Sequence, residues 1–136
     1  MILVIVLLCI SLVVTIDGGE VPTSQINGLY YLYNRTAGID WTWTNSSTSI
    51  PWDFNMIFDN NTNPCMDNWQ GINCTENCVS SSSTPCYITA ISLYDNHMVG
   101  TIPSEISLIS TLEYLSLTYN SLMGTLPTAV GELTSI

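Results

Sequence analysis

Two consecutive stretches decide the fold. The first is Ile88-Thr-Ala-Ile-Ser-Leu-Tyr-Asp-Asn-His-Met-Val-Gly-Thr-Ile-Pro-Ser-Glu-Ile-Ser-Leu-Ile-Ser-Thr111. The second is Leu112-Glu-Tyr-Leu-Ser-Leu-Thr-Tyr-Asn-Ser-Leu-Met-Gly-Thr-Leu-Pro-Thr-Ala-Val-Gly-Glu-Leu-Thr-Ser135. They are the same unit written twice, 24 residues apart. Ile88, Ile91, Leu93, Asn96, Met98, Gly100, Ile102, Pro103, Ile106 and Ile109 recur as Leu112, Leu115, Leu117, Asn120, Leu122, Gly124, Leu126, Pro127, Val130 and Leu133. Ile136 falls where a third unit begins. A repeat of this length is one supersecondary unit that cannot hide its apolar face alone, so neighbours must stack. Stacking gives an elongated surface suited to binding rather than to chemistry.

Within each unit the pattern is specific. Ala90-Ile-Ser-Leu-Tyr94 and Tyr114-Leu-Ser-Leu-Thr118 alternate apolar and polar residues, which predicts half-buried strands. Ile91, Leu93, Leu115 and Leu117 point inward, and Ala90, Ser92, Tyr94, Tyr114, Ser116 and Thr118 outward. Asn96 and Asn120 fall where the chain turns, and a buried amide there satisfies backbone groups that would otherwise lack partners. Pro103 and Pro127 open a short helical or 3-10 turn. Every repeated Ile and Leu reads as core.

Upstream, Pro22-Thr-Ser24 offers a helix start capped by Thr23 or Ser24. Ile26, Leu29, Tyr30 and Tyr33 would form its buried face, Gly28 would weaken it, and Gly38 would stop it. Residues 39–64 are aromatic and turn-rich. Trp41, Trp43, Trp52, Phe54 and Phe58 read as rings covering the open end of a core, with a sugar-binding platform as the sharper alternative. Trp69-Gln-Gly-Ile-Asn-Cys74 reads as a strand entering a turn.

Composition fixes the compartment and narrows the partners. Residues 1–14 are apolar but shorter than the roughly 20 needed to span a membrane, so 1–19 read as a secretory signal, with an uncleaved signal anchor as the rival. Of five cysteines, Cys9 lies in that segment. Cys65, Cys74, Cys78 and Cys86 remain, an even number that implies disulfides and allows three pairings. The short loops between neighbours favour Cys65–Cys74 and Cys78–Cys86. Their spacing lacks the paired knuckles of a zinc site. Asn34, Asn45, Asn60 and Asn73 are N-glycosylation acceptors by sequence, with Asn73 crowded by Cys74.

Charged residues are 9% of the chain, against the usual ~25%, and the net charge is −10 with a single Arg or Lys, Arg35. Nucleic acid is excluded as a partner, because binding it requires clustered cations. Asp53, Asp59 and Asp67 do not have calcium-loop spacing and read as solvated loop carboxylates. His97, the sole histidine, reads as an exposed loop side chain. No nucleophile elbow, zinc-binding His pair or phosphate loop occurs, so no catalytic residue, cofactor or metal is assigned.

The pattern L-x-x-L-x-L-x-x-N-x-L-x-G-x-I-P-x-x-I-x-x-L-x-x resembles the plant-type leucine-rich repeat. The segments Leu29-Tyr-Tyr-Leu-Tyr33, Gly38-Ile-Asp-Trp41 and Pro64-Cys-Met-Asp-Asn-Trp-Gln-Gly-Ile-Asn-Cys74 resemble the cap that precedes such repeats. The Cys78–Cys86 loop is not part of the simplest form of that cap, and Met98 stands where Leu is usual. The resemblance implies an α/β solenoid: a right-handed superhelix with a short parallel sheet, preceded by a helical, disulfide-bonded N-terminal cap that protects the edge of the first strand. It divides the chain into a signal (1–19), a cap (20–87), repeats at 88–111 and 112–135, and the start of a truncated third repeat at 136. Members of the family are receptor ectodomains, receptor-like proteins and secreted inhibitors of wall-degrading enzymes. They bind protein, peptide, glycan or small-hormone ligands, mostly on the concave and lateral surfaces. Here that surface carries Ser92, Tyr94, Asp95, His97, Tyr114, Ser116, Thr118 and Tyr119, with Ala90 and Ser121 beside them.

The function expected from sequence is extracellular ligand recognition, at the N-terminal part of a receptor-like or cell-surface protein. A secreted inhibitor of extracellular hydrolases and a wall or matrix adhesion protein are the alternatives. Membrane attachment would come from a missing C-terminal part or from the uncleaved anchor. The uncapped last strand is a site for self-association.

Overall fold

The computed structural model describes residues 19–54, 63–76, 78–79 and 83–133. The signal segment up to residue 18, Phe58, Asp59, Asn60, most of the serine run and the start of the third unit lie outside the described residues.

Helix α1 spans Thr23–Arg35. Pro22 is its N-cap residue and no side chain caps it, so neither Thr23 nor Ser24 has the expected role. Pro22 is extended (φ −54°, ψ 135°), and its carbonyl accepts the N–H groups of Gln25 and Ile26. The helix ends at Arg35, short of Gly38. Ala37 takes the left-handed conformation (φ 55°), and Gly38–Asp40 form a 3-10 turn.

The buried face of α1 also differs from the expected stripe. It runs through Gln25, Gly28, Leu29 and Leu32, while Tyr30 is exposed and Ile26 and Tyr33 are half-buried. Gly28 and Gln25 look unlike core residues, yet each is needed there. A Cβ at Gly28 would stand 2.7 Å from Cγ1 of Ile109, so its absence lets the helix lie against the first repeat. Gln25 Oε1 accepts the Ile88 N–H at 2.8 Å, and its Nε2 donates to Thr111 Oγ1 at 2.9 Å. Thr111 Oγ1 in turn donates to the Ile88 carbonyl at 2.7 Å. One buried amide thereby joins the helix to both ends of the first 24-residue unit.

The rings after α1 pack as expected of a core cover. Trp41, Trp52, Phe54 and Trp69 are buried, with Trp52 stacked on Trp69 at 5.8 Å and Phe54 edge-on to Trp69 at 5.0 Å. Tyr33 sits edge-on to Trp41 at 5.3 Å. Two indoles are fixed by backbone carbonyls: Trp41 Nε1 donates to Thr36 O and Trp52 Nε1 to Gln70 O, both at 2.8 Å. Of the rings read as a sugar platform, Trp41, Trp52 and Phe54 are buried, Trp43 is half-buried and Phe58 lies outside the described residues.

Cys65 is bonded to Cys74 (Cα–Cα 5.8 Å) and Cys78 to Cys86 (Cα–Cα 5.3 Å). The turn between Asn63 and Gln70 precedes the strand rather than following it. Asn63 Oδ1 accepts the N–H groups of Cys65 and Met66, and Asp67 Oδ2 accepts that of Asn63 at 2.7 Å. Asp67 is therefore half-buried and engaged, not a solvated carboxylate.

Strand β1 (Ile72–Cys74) then pairs antiparallel with β2 (Ile88–Ser92), which pairs parallel with β4 (Tyr114–Ser116). The order β1-β2-β4 places the cap's own strand along the first edge of the repeats. The parallel register joins Ala90 to Tyr114, Ile91 to Leu115 and Ser92 to Ser116, an offset equal to the sequence repeat. The strands start earlier or end sooner than the alternation predicted, because Tyr94 and Thr118 already lie in the turns. A second parallel pair, β3 (Val99–Gly100) with β5 (Ser121–Leu122), was not foreseen. The prolines open 3-10 turns at Ser104–Leu108 and Thr128–Glu132.

The first unit buries Ile88, Ile91, Leu93, Met98, Ile106 and Ile109 completely and leaves Ile102 half-buried. Of the repeated aliphatics of the second, Leu112 and Leu133 alone are buried among the described residues. Leu115, Leu117, Leu122 and Val130 are half-buried, and Leu126 is 63% exposed, against the expectation that every repeated aliphatic is core. The first coil has α1 and β1 on one side and the second coil on the other, whereas the second coil is covered on one side among the described residues.

Candidate functional site

The sheet has one buried and one outward side. Residues in register share a side, so the inward packing of Ile72, Ile91 and Leu115, the first and last half-buried, turns Asn73, Ala90 and Tyr114 outward, with Ser92 beside Ser116 in the next row. Tyr114 is 55% exposed and Tyr94 58%. Ser92 and Thr118 are exposed, and Ser116 is half-buried with its hydroxyl 3.3 Å from that of Thr118.

The turns after β2 and β4 carry the rest of the predicted surface. Asp95 and Tyr119 occupy equivalent positions, each just before the turn asparagine, and both have left-handed backbones (φ 53° and 59°). The asparagines set that geometry. Asn120 Oδ1 accepts the N–H groups of Asn96 and Met98, both at 3.0 Å, and its Nδ2 donates to the carbonyls of Leu93 (2.7 Å) and Leu117 (3.0 Å). Asn96 Nδ2 donates to Thr42 O at 2.8 Å, so the cap serves the first coil as the first coil serves the second.

The structure brings Tyr94 and Tyr119 together. Their ring centroids are 4.8 Å apart at an interplanar angle of 50°, joining the first coil to the second above the turn. Tyr119 is 76% exposed, the most open of the three. Tyr114 lies on the sheet proper, in register with Ala90, and has no ring contact with the pair.

His97 is exposed, as expected, but its role was missed. Its Nδ1 shares a hydrogen bond of 2.9 Å with Thr42 Oγ1, while Thr42 N–H donates to Asn96 O at 3.1 Å. The imidazole thus closes the joint between cap and first coil. The 55-residue separation of the two partners leaves no local signal in the sequence. Burial of Tyr33 among the cap rings raises its pKa above the ordinary 10.0, and the Asp53 and Asp40 carboxylates push it the same way.

At the sheet's other border an open depression of about 600 Å³ lies between Ser92, Asn73, Asn68, Trp69, Thr48 and Ser49. Its rim is polar and uncharged. Asn73 is exposed there, so the folded chain does not crowd it as its neighbour Cys74 suggested. Asn34 and Asn45 are also exposed.

A family model described as Leucine Rich Repeat matches residues 111–133, the second coil. Among solved structures the chain is similar to the leucine-rich repeat ectodomain of the receptor kinase SOBIR1 from Arabidopsis thaliana, with a TM-score of 0.59 at 18% identity. That match covers 86% of this chain and 52% of the other, so the chain spans about half the length of that ectodomain. A leucine-rich repeat protein from Bacteroides eggerthii is also similar, with a TM-score of 0.45 at 17% identity, over 69% of this chain and 12% of that one. At such identities the likeness to the receptor-kinase structure is one of fold. With its parallel strands stacked at the repeat spacing and its strand-capped first edge, this chain has the fold of a leucine-rich repeat ectodomain.

Proposed function

We propose that this chain is the N-terminal, ligand-recognising part of an extracellular leucine-rich repeat protein of receptor-like or cell-surface type. It binds a protein, peptide or glycan on the concave face formed by Ser92, Tyr94, Asp95, His97, Tyr114, Ser116, Thr118 and Tyr119. The observation that carries this reading is the exposure of three tyrosines on the outward side of two adjacent coils, while aliphatic residues fill the interior. A tyrosine ring loses little rotamer freedom on binding and presents both an apolar body and a hydroxyl, which is why it anchors recognition surfaces. Leucine-rich repeat proteins are in general binding modules, and the hydroxyl–imidazole contact at this face, Thr42 Oγ1 with His97 Nδ1 at 2.9 Å, ties the cap to the first coil.

In this reading residues 1–19 are a secretory signal, 20–87 a cap, and 88–111 and 112–135 successive turns of a right-handed solenoid. The two disulfides and the exposed acceptors Asn34, Asn45 and Asn73 support an oxidising, extracellular setting. Site-specific photo-crosslinking tests the face. A photoreactive amino acid is placed at Thr118, on the outward side, or at Thr125, beyond the second sheet. Each chain is then exposed to extracellular fluid of the source organism. Adducts at position 118 that are missing at 125 are expected; equal yields at both positions would refute the assignment.

A further inference from the structure

Packing does not account for Tyr119. Its backbone is left-handed (φ 59°), a conformation in which a bulky side chain crowds its own carbonyl. At the equivalent position of the first coil stands Asp95 (φ 53°), whose short polar side chain tolerates that geometry. Asn or Gly would serve the turn at lower cost. The tyrosine gains little burial in exchange, since 76% of it is exposed. Its one ring contact is Tyr94, from the coil before it, itself more than half exposed.

We propose that Tyr94, Tyr119 and Asp95 form a seat for a cationic side chain, Arg or Lys, of a basic partner protein. This rests on the reading of the outward sheet side as the ligand face, and it specifies the partner's chemistry. Two electron-rich rings 4.8 Å apart and tilted by 50° can both be approached by one guanidinium, which stacks on aromatic faces and is weakly hydrated. The exposed Asp95 carboxylate follows Tyr94 in the chain and supplies the counter-charge. The face carries no Lys or Arg to compete for that carboxylate. The chain's single Arg, Arg35, ends helix α1, where its carbonyl accepts the Thr101 N–H beside the second sheet. A net charge of −10 steers a basic partner toward the chain and repels an acidic one.

The test uses the full chain and three fluorescent octapeptides: octa-arginine, an uncharged Gly-Ser peptide and octa-glutamate. Binding is read by anisotropy at about 0.15 M salt, where distant charges are largely screened. Octa-arginine should bind the wild type. Tyr119→Asn should weaken it by roughly tenfold, and Tyr94→Ala similarly, the loss of a desolvated cation–ring contact. The melting temperature of Tyr119→Asn should hold or rise, because Asn accepts the left-handed turn; a merely structural role for Tyr119 would lower both. Glu20→Gln removes one charge beyond the opposite end of β2, where the Glu20 carbonyl accepts the Cys86 N–H, and should change binding less than twofold. Wild-type strength in Tyr119→Asn, an equal loss in Glu20→Gln, or no octa-arginine binding at all would overturn the proposal. If instead the Gly-Ser peptide binds and depends on Tyr119, the cation seat fails while the ligand face stands. If no peptide responds to either tyrosine, both fail.

Discussion

The side-chain amide of Asn120 holds the backbone of Asn96 in the preceding coil, accepting its N–H at 3.0 Å. The same amide serves Met98, Leu93, Leu117 and Thr118, so five backbone groups at the joint of two coils depend on it. Asn120→Ala should cost about 2–4 kcal/mol, the penalty for stranding partly buried polar groups. Urea unfolding followed by tryptophan fluorescence would measure it. A loss under about 0.5 kcal/mol would mean that water replaces the amide without penalty.

Gly28→Ala provides a test of sign. In an open helix the substitution stabilises by about 1 kcal/mol, through propensity. Here the new methyl would meet Ile109 Cγ1 at 2.7 Å and the Glu105 carbonyl at 3.2 Å. The variant should be less stable by about 1–3 kcal/mol, the range of an overpacked core. A rise in the urea midpoint would show that α1 does not press on the 3-10 turn at Ser104–Leu108.

Leu93 and Leu117 are equivalent in sequence and unequal in burial: Leu93 is 1% exposed, Leu117 only half-buried. Leu93→Ala should cost about 3–4 kcal/mol and Leu117→Ala about 1–2, because the cavity term requires walls on all sides. Parallel denaturation curves at low protein concentration decide this. Equal losses would mean that the outer side of Leu117 is covered in solution.

Much of this inequality is invisible in the repeat. The 24-residue spacing predicted which strands would pair, since in-register stacking is the one arrangement that buries Ile91 and Leu115 on the same side. It also pointed to the turn asparagines. Other features leave no periodic trace. The β3–β5 pair has strands of two residues, too short for alternation to register. Helix α1 was misread because Gln25 and Gly28 face the core for reasons other than hydrophobicity, one through the Ile88 N–H and one through the approach of Ile109. Of the predicted face, Tyr94 and Tyr119 meet although they lie 25 residues apart, one more than the repeat, so strict equivalence would not have joined them.

Tyr33 gives a pH dependence with a definite sign. Burial, then Asp53 and Asp40, raise its pKa above the unfolded value of 10.0, so the folded chain keeps a proton that the unfolded chain gives up. The stability it contributes is fully present below pH 10 and is lost as pH climbs through the folded pKa. Tyr33→Phe should therefore lose less stability than the wild type on going from pH 9 to about 11, across the unfolded tyrosine pKa. Melting temperatures of the two chains against pH would show curves that stay parallel up to pH 10 and converge or cross beyond it. Curves parallel throughout would rule the effect out.

The two glycines of the repeat look interchangeable on paper, yet they are not. A Cβ at Gly100 would run into the Arg35 carbonyl at the end of helix α1, whereas one at Gly124 would meet only the side chain of Thr101. The first fixes the seam between two kinds of architecture; the second lies between two copies of the same kind. Grafting this cap onto a foreign array would thus demand a glycine at that one position of the receiving module, besides partners for Gln25 and Thr42, and shuffling of such modules would be filtered at this seam rather than at the ligand.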